Sequence, residues 1–178
     1  MANRSSSTVI SLARTLARQL ATASKRVPRP KPCGRQRSTS GRTGGYAGDY
    51  VGVPPMSYTP VADDLADPGE VVWTWVPYEE DHGRGKDRPV LVIGREHGLL
   101  LALQLTSQDH DRDAEDESRH GRYWVDIGRG DWDRERRPSE ARVDRILQLE
   151  PSDVRRIGAV LPESVFSEVA SEVQRRAR

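Results

Sequence analysis

An arginine and a carboxylate two residues apart, Arg142 and Asp144, sit in the run 140–149 (EARVDRILQL). If that run is a strand, alternate side chains share a face, and the two groups point the same way. A carboxylate can accept a proton, and a guanidinium, which hardly releases one, can stabilise negative charge. The plain alternative is an exposed ion pair worth about 0–1 kcal/mol. Arg88 could grip a phosphate with two parallel bonds, or could simply cap a loop end. The hydroxyls of Thr106 and Ser107 could bond a phosphate, although Ser and Thr also close turns locally. His82, Arg84 and Lys86 share one charged loop, where a histidine suits proton transfer and the two cations add local positive charge. An ordinary exposed loop explains them too. Trp73, Trp75 and Tyr78 could stack on a base, or could be buried strand aromatics.

Other chemistries find little support. Asp109, Asp111 and Asp113 begin like a calcium loop, but Ala114 stands where glycine is required and His120 where the closing glutamate belongs. His110 and His120 lack zinc-ligand spacing, and Cys33, the sole cysteine, excludes an intrachain disulfide or a Cys-rich zinc site. No Walker loop or dinucleotide-binding glycine pattern occurs. We therefore expect no metal and no cofactor. No apolar run approaches ~18 residues, so no membrane span is expected, and the lone cysteine fits a cytoplasmic location.

The elements that must position these residues occupy the second part of the chain. Residues 70–77 (EVVWTWVP), 88–94 (RPVLVIG), 99–106 (LLLALQLT), 123–127 (YWVDI) and 140–149 read as five strands. Residues 78–87 are a loop with Gly83 and Gly85, and 107–121 are a long acidic loop. Pro151 and Pro162 suit the first turn of helices over 152–160 and 163–176. In the second of these, Val165, Phe166, Val169 and Val173 form one apolar side. Short strands followed by helices imply a mainly β, α+β domain: a small, bent sheet or barrel with a helix packed on it.

The first part of the chain differs. Residues 1–48 carry ten Lys/Arg and no acid, leaving 18 basic against 27 acidic residues, a net of −9, for the rest. A tail of +10 favours polyanions such as RNA or anionic lipid. The acidic body can act on RNA only through a local basic cleft. Residues 7–24 have the spacing of an amphipathic helix, resembling a transit or surface-binding segment, or are a partly disordered tail. Residues 25–60, rich in Pro, Gly and Ser, read as a flexible linker. Residues 1–60 are thus a disordered or partly helical tail before a domain over 68–178; an incorrectly assigned upstream start codon is the alternative for the first ~40 residues.

Three segments, 69–94 (GEVVWTWVPYEEDHGRGKDRPVLVIG), 101–108 (LALQLTSQ) and 139–161 (SEARVDRILQLEPSDVRRIGAVL), together resemble the PemK/MazF family of toxin endoribonucleases. The matching features are a Gly-Glu-Val-Val opening strand, Arg-Pro-Val-Leu-Val after a loop, a strand ending in Thr-Ser, and a later strand with a charged pair. The likeness runs in order from residue 68 to the C-terminus and leaves out 1–60. It implies an SH3-like β-barrel with a C-terminal helix, usually a homodimer. It also implies metal-independent cleavage of single-stranded RNA by the ribose 2′-hydroxyl, and a cognate antitoxin partner. On this resemblance Asp144 is the base, Arg142 an acid or a charge stabiliser, and Arg88 and Thr106 complete the catalytic set. His82, Arg84, Lys86 and Ser107 become substrate contacts. The chain departs from the family in carrying Asp144 where many members have Glu, and Leu147-Gln148 where many have Arg-Thr. A non-catalytic relative that binds a protein, as CcdB relatives bind gyrase, or that binds RNA, is the alternative. So is a protein whose basic tail is the functional part. The acidic loop 107–121 would repel RNA unless it moves aside, and could hold the cleft shut.

Overall fold

A computed structural model describes residues 45–108 and 114–177; the helix expected over 7–24 lies outside them. Among the described residues six strands make one curled, half-closed antiparallel sheet. They are β1 (Glu70–Pro77), β2 (Gly85–Glu96), β3 (Leu99–Thr106), β4 (Trp124–Gly128), β5 (Ser139–Leu149) and β6 (Arg156–Val160). Their spatial order is β4-β5-β3-β2-β1-β6. A one-and-a-half-turn helix, α1 (Ala114–Arg119), lies between β3 and β4, and α2 (Glu163–Arg176) follows β6.

The central strands read as nearly unbroken apolar runs because both of their faces are covered. Val71, Leu91, Ile93, Leu101, Leu103, Ala141 and Val143 pack beneath Phe166, Val169 and Val173 of α2. The alternate residues Val72, Val76, Val90, Val92, Leu100, Ala102, Leu147 and Leu149 form a second cluster on the opposite face, as the two-residue period of a strand requires. β2 turns into β3 through His97 and Gly98, both at positive φ (50° and 85°). Two left-handed residues in succession are what a tight hairpin with the native twist demands.

The segment before β1 belongs to this sheet. Residues 45–60 were expected to be linker, but Tyr46 packs against the second cluster, and Tyr50, Met56 and Tyr58 against the first. Asp49 forms a bridge with Leu147. The Ser57 N–H donates to Ile93 O at 3.1 Å, and the Tyr58 hydroxyl to Leu161 O at 2.8 Å. Gly94 makes the crossing possible: a Cβ there would lie 1.9 Å from Pro55 O. Four tyrosine and methionine side chains thus supply the apolar area that a Gly- and Pro-rich composition conceals.

The helix expected over 152–160 is corrected to a different element. Pro151 begins only one 3-10 turn, Pro151–Asp153. Val154 is then extended (φ −67°, ψ 126°), and β6 pairs antiparallel with β1. The edge of β1 offers unpaired backbone groups, and satisfying them outweighs the weak helical start given by a proline. The acidic loop also carries structure, in the form of α1. Its end is a Schellman turn: Gly121 is at φ 73°, its N–H donates to Ser118 O, and the Arg122 N–H donates to Glu117 O.

Candidate active site

The ladder between β3 and β5 breaks where the charged pair sits. Leu103 lies opposite Ile146, while Leu105 lies opposite Ala141, two steps on one strand against five on the other. Residues 142–145 therefore bulge away from β3. Such interruptions re-aim side chains that a regular ladder would hold flat. On the other side Arg142 stays opposite Trp124 of β4, and the Val143 N–H donates to Tyr123 O at 2.9 Å.

Arg142 and Asp144 meet directly. Arg142 Nε and Nη2 donate to Asp144 Oδ2 at 2.9 and 2.7 Å. Asp144 Oδ1 accepts from the Tyr123 N–H at 2.7 Å. The third prong, Arg142 Nη1, donates to Glu79 Oε2 at 2.9 Å. The Arg142 side chain is 8% exposed, that of Asp144 13% and that of Glu79 55%, so a buried guanidinium bridges a buried and a solvent-facing carboxylate. Burial alone would lower the Arg142 pKa, but the bonds from Asp144 and Glu79 prevail and raise it above the usual arginine range. Arg142 therefore stays cationic, which suits a charge stabiliser and not a proton donor. At its other end, Tyr123 lies under the Arg176 guanidinium of α2, 3.7 Å from the ring centroid.

Three residues further along, Arg145 faces the scaffold. Its Nε donates to Asp49 Oδ2 at 2.9 Å and its Nη1 to Pro77 O at 3.0 Å. The Tyr46 hydroxyl donates to the other Asp49 oxygen at 2.5 Å. Arg145 thus ties the bulge of β5 to the end of β1 and to the segment before it. The loop leaving Pro77 is closed by Tyr78 N–H to Arg84 O at 2.8 Å and Arg84 N–H to Asp81 O at 3.0 Å, and it carries Glu79.

The remaining expected site residues fall into two groups. Arg88 and Thr106 share the face of Arg142. Val90 lies opposite Gln104, where the β2–β3 ladder ends, and Arg88, two residues before Val90, alternates onto the same face of β2. Thr106 is in turn opposite Glu140, two residues before Arg142. Among the described residues the Arg88 guanidinium has no hydrogen bond or ion pair. The Thr106 Oγ1 accepts from the Gln108 N–H at 3.1 Å, a local turn bond of the kind its sequence position suggested. The others are not brought to the pair. His82 packs edge-on against Tyr46 at 5.0 Å, Arg84 lies over Tyr78 at 5.9 Å, and Lys86 and Ser107 are exposed. Trp73 is neither free for stacking nor wholly core: it is half-buried, and its Nε1 donates to Trp132 O at 3.1 Å.

Sequence reasoning missed Glu79, Arg122 and Glu117. Arg122 Nε and Nη2 donate to Glu117 Oε2 and Oε1 at 2.6 and 2.9 Å, and Trp124 Nε1 donates to Glu117 Oε2 at 3.2 Å. The only trace of Glu79 in the sequence is the acidic Glu79-Glu80-Asp81 run before His82. An open cleft of about 480 Å³ between Trp73, Trp132, Arg134 and Arg155 lies on the α2 side of the sheet. Four of its charges are already paired, Arg155 with Asp87, and Asp133 and Glu135 with Arg137. Among the described residues no group of three or more His, Cys, Asp or Glu is placed to hold a metal ion.

A curled antiparallel sheet closed by a C-terminal helix, with an arginine–aspartate pair at a break in its ladder, defines the class of fold and site. Residues 67–176 match the family described as PemK-like, MazF-like toxin of type II toxin-antitoxin system, and the chain belongs to that family. Similar solved structures include MazF from Deinococcus radiodurans (21% identity, 64% of this chain and 96% of that one, TM-score 0.46). The MazE–MazF complex from the same organism is another (20%, 64% and 96%, TM-score 0.44). A third is an endoribonuclease in complex with its cognate antitoxin from a mycobacterial species (14%, 61% and 90%, TM-score 0.44). No curated protein matches the chain. Among the described residues no helix is long and apolar enough to cross a membrane.

Proposed function

We propose that this chain is a toxin endoribonuclease that cleaves single-stranded RNA without a metal or other cofactor, and that it is held in check by a cognate antitoxin. The observation that carries the reading is the Arg142–Asp144 pair, bonded through two nitrogens and set in the β5 bulge. Asp144 takes the proton from the ribose 2′-hydroxyl. Its orientation is set from two sides, by Arg142 and by the Tyr123 N–H, so little reorganisation is needed when the proton moves. The 2′-oxygen then attacks the adjacent phosphorus, and the bond to the 5′-oxygen breaks. Arg142 and Arg88 offset the charge that builds on the phosphorane, and Thr106 contributes its hydroxyl. Solvent water returns a proton to the leaving oxygen, and His82, on the loop that carries Glu79, contacts the RNA. Arg84, Lys86 and Ser107 contact the flanking RNA. The products are a 2′,3′-cyclic phosphate and a 5′-hydroxyl. The reading includes a cytoplasmic homodimer with RNA crossing the dimer face.

The test is cleavage of a long single-stranded RNA in excess chelator by the full chain, by Asp144→Asn and by Arg142→Ala. Cleavage by the first alone supports the proposal. Growth arrest on expression that survives both substitutions would replace it with a non-catalytic binding protein.

A further inference from the structure

Arg122 and Trp124 stand beside the proposed reaction centre without a part in it. Trp124 is opposite Arg142 across the β4–β5 ladder, so their side chains share a face as a cross-strand pair. Arg122 precedes β4 by two residues and lies within electrostatic range of both Arg142 and Glu79. Its backbone position is locked by the Schellman turn that ends α1. A planar guanidinium and a half-buried indole are thereby presented together, on rigid backbone, next to the pair assigned to catalysis.

Both features are engaged by one carboxylate. Glu117 takes two parallel bonds from Arg122 and a third from the Trp124 indole N–H. Fork-to-fork pairing of this kind is how arginine also holds a phosphate. Glu79 takes a single bond from Arg142 Nη1. Glu79, Glu117 and Asp144 thus occupy both guanidiniums, so an approaching phosphodiester finds Arg122 and Arg142 already paired until a glutamate yields. The side chain of Glu117 is 17% exposed and that of Arg122 38%, so the guanidinium is reachable while its partner is largely enclosed.

We propose that Arg122 and Trp124 form a second RNA subsite, which takes the phosphate and base of a nucleotide neighbouring the scissile bond, and that Glu117 occupies it as a phosphate stand-in when RNA is absent. This rests on the ribonuclease reading. Binding requires the Glu117 carboxylate to leave the Arg122 fork, a phosphate to replace it, and a base to stack on the Trp124 indole. Glu117 therefore sets a threshold for substrate affinity.

The experiment measures equilibrium binding of a labelled 2′-O-methyl oligoribonucleotide, which lacks the attacking hydroxyl, to the full-length chain over a range of salt. Cleavage of the matching RNA is followed in parallel. Glu117→Gln keeps shape and removes charge, and should tighten binding about tenfold, because it removes a like charge facing the phosphate. Arg122→Met should weaken binding about tenfold and reduce the log–log salt slope by about 0.7, one single-strand phosphate contact. Arg122→Lys should retain the slope but recover only part of the affinity, and Trp124→Leu should weaken binding about tenfold with the slope unchanged. A merely structural role for the Glu117–Arg122 pair makes Glu117→Gln bind no better than wild type, and that result overturns the proposal. So does an unaltered salt slope in Arg122→Met. If the wild-type chain cleaves RNA while these variants match it, the subsite fails and the ribonuclease reading stands. If it neither binds nor cleaves RNA, both fail.

Discussion

Two buried guanidiniums sit three residues apart on β5 and do opposite work. Arg142 bonds only carboxylate side chains, Asp144 and the solvent-facing Glu79. Arg145 faces the scaffold, and bonds the Pro77 carbonyl and Asp49. The bulge at 142–145 makes both possible, since a regular strand would give each arginine a place in an apolar cluster like that of Ile146 or Leu147. The difference teaches that burial of an arginine does not mark a site. What marks it is whether the partners are groups a substrate can displace. Glu79 is more than half exposed and can move, whereas a backbone carbonyl in a sheet cannot.

The Arg142–Asp144 side should break first in activity. Asp144→Asn is expected to lower cleavage about a thousandfold, measured by initial rates. Its melting temperature should fall by only a few degrees, because one amide oxygen still accepts from either the Tyr123 N–H or Arg142 and Arg142 keeps its bond to Glu79. The scaffold side should break in stability. Arg145→Met strands Asp49 and is expected to cost about 3 kcal/mol in urea unfolding, with the surviving folded fraction retaining most of its activity. Inverted results, an inactive but stable Arg145→Met or a merely unstable Asp144→Asn, would exchange the roles.

Gly94→Ala separates the sheet from the segment crossing it. The new Cβ would collide with Pro55 O, and a loss of about 2 kcal/mol is expected, with increased proteolysis near residues 50–60. The smallest effect concerns pH. Burial alone would raise the Asp49 pKa, but the bonds from Arg145 and Tyr46 more than reverse this and hold it below the ordinary carboxylate range. Its stabilising contribution is therefore full above the ordinary value of about 4 and is lost as pH falls through the lower folded value. Asp49→Asn should cost about 1 kcal/mol at pH 7, with the gap to wild type closing as the solution is acidified below pH ~4. A gap that persists would mean the carboxylate charge is not what anchors the segment.

Much of this was legible in the residues because it depends on local pattern. The runs EVVWTWVP and LLLALQLT mark β1 and β3 to the residue, and the spacing of Phe166, Val169 and Val173 marks the buried face of α2. Arg142 and Asp144 were visible as a pair because alternation in a strand is a short-range rule. Glu79 was not, since it meets Arg142 across 63 residues, and Asp49 meets Arg145 across 96. Nothing in a Pro- and Gly-rich stretch announces that Tyr46 and Tyr58 will dock on a sheet. β6 was misread because a proline start favours a helix locally, whereas the edge of β1 selects a strand from a distance. Gly94 did leave a signal, as a glycine ending an apolar run, where close approach of another backbone is a standing reason for its use.

The most direct measurement is the identity of the ends left on cut RNA. The full chain, incubated with a long single-stranded RNA in excess chelator, should leave 2′,3′-cyclic phosphates and 5′-hydroxyls, and a substrate with 2′-deoxyribose at the cleaved position should stay intact. Products ending in 3′-hydroxyl and 5′-phosphate, or equal cutting of the deoxy-substituted strand, would contradict the account, because neither uses a 2′-oxygen activated by Asp144.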